Sequence, residues 1–229
     1  MREVVLDTET TGLDPADGHR IVEIGCVELF DHVPTGNVFQ RYLNPERLVP
    51  VESTRVHGLT DEFLADKPLF ADIADELHAF LGDAPLVIHN ASFDIKFVNA
   101  ENLRIMRAAI PLSRAIDTIE IAKAKIPGAR YSLDELCKRF GVDLSGRAKH
   151  GALLDAQLTA RIYLELVGGR QTRLKLAPSD AANSAIEIAR SPTRQRQTPL
   201  PNRLSPDEAE AHARFIAREL GPEAIWNKP

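Results

Sequence analysis

Cysteine, methionine and tryptophan are scarce, with two, two and one in 229 residues. Cys26 falls in a strand-like run and Cys137 in a helix-like run, neither with Cys or His at ligand spacing, so no disulfide framework or thiolate metal site is expected. Both read as small buried apolar side chains. Also missing is any uninterrupted apolar run of the ~18–20 residues needed to span a bilayer. No membrane partner is expected. The opening Met1-Arg2-Glu3-Val4 runs straight into a strand without a signal-peptide profile, and the expected location is the cytoplasm. A basic excess is lacking too. The net charge is −5, and residues 1–170 alone carry 19 basic against 26 acidic side chains, which argues against gripping a nucleic-acid duplex by charge.

What is present is an alternating α/β pattern. Glu3–Thr8 alternates as a strand, Arg20–Phe30 reads as a second, and Asn37–Leu43, with Gly36 before it, as a third; the three are expected to pair as a meander. Phe70–Leu81 has Ile73, Ala74, Leu77 and Phe80 at helical spacing and stops at Gly82. A short strand over Pro85–His89, a helix from Ser92 to Met106, a strand at Ala115–Asp117 and a further helix follow. Ser132-Leu133-Asp134-Glu135 has the form of a capping box opening a helix that ends at Gly141. The last long helix, Gly151–Val167, places Leu154, Leu158, Ile162 and Leu166 on one face, a core stripe. The expected fold is α/β: a ribonuclease-H-like mixed β-sheet flanked by helices.

After residue 170 the composition changes. Residues 171–203 hold Pro178, Pro192, Pro199 and Pro201 among Gln, Arg, Ser and Thr, with six basic and two acidic side chains, the composition of a flexible linker. In the C-terminal segment, 204–229, Ser205-Pro206-Asp207-Glu208 supplies an N-cap, a first-position Pro and an acid three residues after the cap, opening an amphipathic helix with Ala209, Phe215 and Leu220. A lone short helix cannot bury its apolar side, so this one is expected to dock on another protein.

Three stretches carry chemistry: Leu6-Asp7-Thr8-Glu9-Thr10-Thr11-Gly12, His89-Asn90-Ala91-Ser92-Phe93-Asp94 and His150-Gly151-Ala152-Leu153-Leu154-Asp155. Any one alone is weak, since two acids one residue apart recur by chance about five times in such a chain. Together they set four carboxylates and an imidazole in the order a two-metal nuclease site needs. Asp7 and Glu9, two apart on a strand, share a face at its carboxyl end, where ligands of α/β sheets gather. Asp94 falls in the first turn of a helix after a strand end, and Asp155 in the first turns of the last helix, five residues after His150. Hard cations such as Mg²⁺ or Mn²⁺ prefer carboxylate oxygen, and two of them clamp the attacking and leaving oxygens of a phosphodiester. His150, with an ordinary imidazole pKa of about 6.5, suits a general base acting on water. His89 reads instead as a partner of the sheet edge, and Asp117 as an internal hydrogen-bond acceptor.

These stretches resemble the motifs of the DEDD exonuclease family, histidine-bearing subtype. The likeness extends to Glu52, to Val56-His57-Gly58-Leu59-Thr60, to Ser132–Cys137 and to His150–Thr159, where it resembles the proofreading subunits of bacterial replicative DNA polymerases. It is dense over residues 3–170 and looser as far as Trp226. The resemblance implies that residues 1–170 form an exonuclease domain using two divalent cations, Mg²⁺ or Mn²⁺. Asp7 would bridge them, Glu9 and Asp155 would complete the surroundings of the first ion, Asp94 would hold the second, and His150 would be the base. Thr10, Thr11, Gly12 and Leu13 would meet the terminal nucleotide, Glu52 and His57 its sugar, and Asn90 and Phe93 would line the pocket. The substrate would be the 3′ end of DNA, releasing 5′-mononucleotides, and residues 204–229 would bind the catalytic alpha subunit of the polymerase. Gln171, Leu174 and Leu176 resemble the Gln-x-x-Leu peptides that dock on sliding clamps. Two alternatives stay open: an exoribonuclease trimming RNA 3′ ends, and a mainly structural polymerase-binding subunit.

Overall fold

The computed structural model describes residues 1–145, 149–168 and 205–220. The chain divides between Leu174 and Lys175 into two units. In the first, five strands form one mixed sheet in the order β3-β2-β1-β4-β5. The antiparallel meander of β1 (Arg2–Thr10), β2 (Ile21–Phe30) and β3 (Val33–Tyr42) is as expected, and the short β4 (Leu86–Ile88) and β5 (Ala115–Asp117) extend it in parallel. β3 begins four residues earlier than the sequence suggested. Asp31 and His32 take positive φ (49° and 68°), making a tight hairpin turn that lets pairing start at Val33.

Strand alternation divides the core in two. Even-numbered Val4 and Leu6 of β1 pack with Leu77 of α3 (Phe70–Leu81) and Val98 of α4 (Ala91–Arg104), whereas Val5 packs with Ala156 and Ala160 of α7 (Ala152–Val167). Asp7 and Glu9 continue the Val5 side, towards α7. A further cluster joins Leu158, Ile162 and Leu166 of α7 to α5 (Thr118–Lys125) and α6 (Leu133–Phe140), so α7 is apolar on two sides. Cys26 and Cys137 are both buried. Ser132 does stand at the N-cap of α6, but its side chain makes no capping hydrogen bond, so the box suggested there is not formed.

Two short helices, α1 (Val51–His57) and α2 (Asp61–Leu64), were not legible in the sequence. Each is too short to show a periodic face. The second unit's α8 (Pro206–Phe215) opens with the expected capping box between Ser205 and Glu208, and Phe215 on it is 53% exposed. The stretch 171–203, with Gln171, Leu174 and Leu176, lies outside the described residues, as do residues 221–229. Among the described residues no helix is long and apolar enough to cross a membrane.

Candidate active site

β1 and β4 run in parallel with Val4 opposite Leu86 and Val5 opposite Val87, so their carboxyl ends open on the same edge of the sheet. From that edge β1 presents Asp7 and Glu9, and the chain leaving β4 enters α4 through Asn90, in left-handed conformation (φ 72°). Asp94 lies in the first turn of α4 and is 3% exposed. Its carboxylate accepts a hydrogen bond from Thr8 Oγ1 at 2.7 Å. Thr8 points to the opposite face of β1 from Asp7 and Glu9, so one strand serves the site from both sides.

α7 delivers the remaining groups. Asp155 is buried in its first turn, and His150, just before the helix, brings Nδ1 to 3.2 Å from Asp155 Oδ2, with 47% of the His150 side chain exposed. The His150 backbone N–H donates to Val56 O of α1 at 3.2 Å, tying the loop that bears the imidazole to a second element. One ligand atom each from Glu9, His150 and Asp155 lie within 4.8 Å of one another.

Electrostatics show what this cluster needs. Burial raises the Asp7 carboxyl well above its ordinary value, and Asp94, Asp155, Glu9 and Glu23, all acids, push in the same direction. Asp94 is pushed up to about 7, chiefly by burial, with its hydrogen bonds to Thr8 opposing the rise. A buried carboxyl whose charged form is opposed by four neighbouring acids calls for cationic charge, and carboxylate oxygen with one imidazole suits a hard divalent ion. The donor set therefore fits such an ion.

Next to these acids the wall is shaped by the β1 exit and α1. A cavity of about 170 Å³ is lined by Glu9, Thr10, Gly12, Leu13, His57 and Phe93, among others. An adjoining one of about 560 Å³ is lined by Thr11, Gly12, Leu13 and Glu52 together with His19 and Ser53. Of the residues expected at a substrate pocket, Asn90 lines neither. Leu13 is 84% exposed, an apolar side chain offered to solvent beside the cavity. His57 accepts from Leu59 N at 3.0 Å through Nδ1, and its Nε2 is buried beside the Thr10 backbone. Burial holds its pKa below the ordinary imidazole range, so the ring is neutral near pH 7.

The turn after β1 is held by groups the motifs did not single out. Thr11 N donates to Arg20 O at 2.9 Å and Arg20 N to Thr11 Oγ1 at 3.0 Å, while the Arg20 guanidinium binds both oxygens of buried Glu101 at 2.6 and 2.9 Å, fastening the turn to α4. At Gly12 a Cβ would run into the His19 ring. A larger residue here would need the His19 ring to shift, so the constraint is close approach and not an unusual φ. His89 Nδ1 meets Thr118 Oγ1 at 2.9 Å, and Asp117 accepts from the backbone N–H groups of Asn90, Ala91 and Ile119, as the sequence suggested for both. Thr8, His19 and the β2 residues Glu23 and Gly25 were missed. In Glu23-Ile24-Gly25 an acid and a glycine interrupt an apolar strand on the Asp7 side, which was the available signal.

A family model described as exonuclease matches residues 4–163. The DNA polymerase III subunit epsilon of Rickettsia conorii is 48% identical over 223 residues, 96% of this chain and 97% of that protein. The subunit of the same name from Escherichia coli is 47% identical over 184 residues, 77% of this chain and 75% of that protein. Among solved structures, exonuclease X in complex with 5′ overhanging duplex DNA superposes with a TM-score of 0.57 at 26% identity, covering 72% of this chain and 90% of that one.

Proposed function

This chain belongs to the exonuclease family, among the epsilon subunits of DNA polymerase III, and from that premise we propose a 3′→5′ DNA exonuclease that edits the primer terminus for a replicative polymerase in the cytoplasm. The observation that carries the reading is the meeting of Glu9, His150 and Asp155 donor atoms beside Asp7, in a cleft where acids face acids. Asp7, Glu9, Asp94 and Asp155 would hold two divalent cations, Mg²⁺ or Mn²⁺. When bound, these supply the positive charge the acids lack and make water a better nucleophile near neutral pH. His150, oriented by Asp155, accepts the proton of the attacking water. The turn from Thr10 to Leu13, with Glu52, His57 and Phe93, holds the terminal nucleotide; Leu13 wedges against its base, and Glu52 and His57 stand on the side of its sugar. An unpaired 3′ end reaches this cavity at lower cost than a paired one, because fraying has already removed its stacking and pairing. The product is a 5′-mononucleotide.

A 3′-mismatched primer-template tests this directly. Shortening one nucleotide at a time from the 3′ end is expected with Mg²⁺ or Mn²⁺, stopping when chelator is added, and faster on single-stranded DNA than on RNA of the same sequence. Undiminished cleavage in chelator, or a strong RNA preference, overturns the reading.

We propose further that residues 204–229 bind the catalytic alpha subunit and that Gln171, Leu174 and Leu176 dock on the sliding clamp. The support is the exposed Phe215 on a capped helix and the match to the Rickettsia subunit across 96% of this chain. Truncation after Gly169 is expected to leave nuclease activity in place while co-purification with alpha and with the clamp is lost. Tight retention of both partners by the truncated protein rejects the tail's role.

A further inference from the structure

We propose that Glu23 is the positioning residue that fixes the start of α7 against the sheet, and through it Asp155 and His150; this rests on the hydrolytic reading above. α7 begins with no cap of its own, because its N-cap, Gly151, has no side chain. Glu23 supplies the missing acceptor from β2: its Oε2 takes the Ala152 N–H at 3.1 Å. Its Oε1 accepts from Gln40 Nε2 on β3 at 2.7 Å, and that amide also reaches Tyr42 Oη at 3.2 Å. Both carboxylate oxygens are thus engaged, on a residue that is 2% exposed. Burying an acid this deeply is costly unless its hydrogen bonds are well placed.

Gly25 stands two residues further along the same face. A Cβ there would be driven into the backbone of Ala152 and Leu153, so α7's first residues occupy the room a side chain would take. Glu23 draws the helix start in and Gly25 admits it. Asp155 N donates to Gly151 O at 2.8 Å in this same first turn, and His150 is two residues upstream of Ala152. Both therefore inherit their placement from the Glu23 contact. Glu23 is also the cross-strand partner of Glu9, so the clamp stands directly beside the acids of β1. With its oxygens committed to two N–H donors, Glu23 is suited to holding the helix and not to serving as a further ligand.

The test uses the full chain with Glu23→Ala and Glu23→Gln, measured as kcat and KM on single-stranded DNA at saturating cation, and as hydrogen exchange of the Ala152 amide in cation-free protein. Displacement of the helix start by about 1 Å is expected to lower kcat roughly 10²-fold in Glu23→Ala, with KM nearly unchanged and the Ala152 amide no longer protected. Glu23→Gln keeps one oxygen for Ala152, and a turned Gln40 amide can meet its NH₂. It is expected to recover most of the rate and the protection. Wild-type kcat in Glu23→Ala overturns the proposal. So does an equal loss in both variants with Ala152 still protected, which would make the charge and not the clamp important. Should Glu23→Ala fail to fold, Gln40→Leu serves: faster Ala152 exchange with a smaller fall in kcat supports the clamp, and wild-type values for both reject it. An inactive wild-type protein would count against the hydrolytic reading alone, because the exchange of Ala152 is read without catalysis.

Discussion

Asp7→Asn loses hydrolysis by on the order of 10⁴-fold, the scale of removing one member of a catalytic group that acts as a unit, and at the same time makes the cation-free protein harder to unfold. The two effects share a cause. Asp7 is held among Asp94, Asp155, Glu9 and Glu23, and its charged form is disfavoured by burial and by each of them. A carboxyl whose folded pKa exceeds its unfolded value binds more protons when folded, so stability is full below the unfolded pKa and falls as pH rises through the folded one. For Asp94 that window runs from about 4 up to about 7. Wild-type protein in chelator should accordingly lose thermal stability between about pH 4 and pH 7. Asp7→Asn removes one of the charges responsible and should raise Tm at pH 8 by roughly 5–10 °C, a gain that shrinks towards pH 4. Added Mg²⁺ should stabilise the wild type at pH 8 far more than the variant. Calorimetry across pH with and without chelator checks this; a variant less stable than wild type at pH 8 in chelator would mean that the acids are not in conflict.

His150→Ala separates the base from the cation site. The expected fall in kcat is roughly 10²–10⁴-fold, the usual worth of a positioned general base. Stabilisation by divalent cation should persist, since the carboxylates remain. Normal turnover in the variant removes His150 from the reaction. Loss of cation-induced stabilisation would instead assign it to holding the ion.

Much of this arrangement was legible in the sequence, and the limits are physical. The continuous apolar run Val4-Val5-Leu6 marked β1 as a strand covered on both faces, and strand geometry, in which residues two apart share a face, then put Asp7 and Glu9 together. The first turns of α4 and α7 could be placed because each follows a strand or glycine that ends the preceding element. Hidden from the sequence were the contacts that hold those elements at a set distance. Thr8 looked like the spacer between two acids but bonds Asp94 from the other face, and Glu23 reads as an ordinary strand acid until Ala152 is brought to it by a fold closing over 129 residues. Likewise α1, with seven residues after a proline, shows no period, although its Val56 carbonyl anchors the loop bearing His150.

The acids of β1 hang from the strand in the middle of the sheet, with β2 on one side and β4 on the other. A central strand opens to solvent only when the whole unit comes apart, unlike a terminus or an edge that frays alone. Warming this enzyme should therefore leave its chemistry intact until the fold itself gives way. In a dividing cell, a mildly weakened form would lose fidelity abruptly with temperature and not by gradual decline.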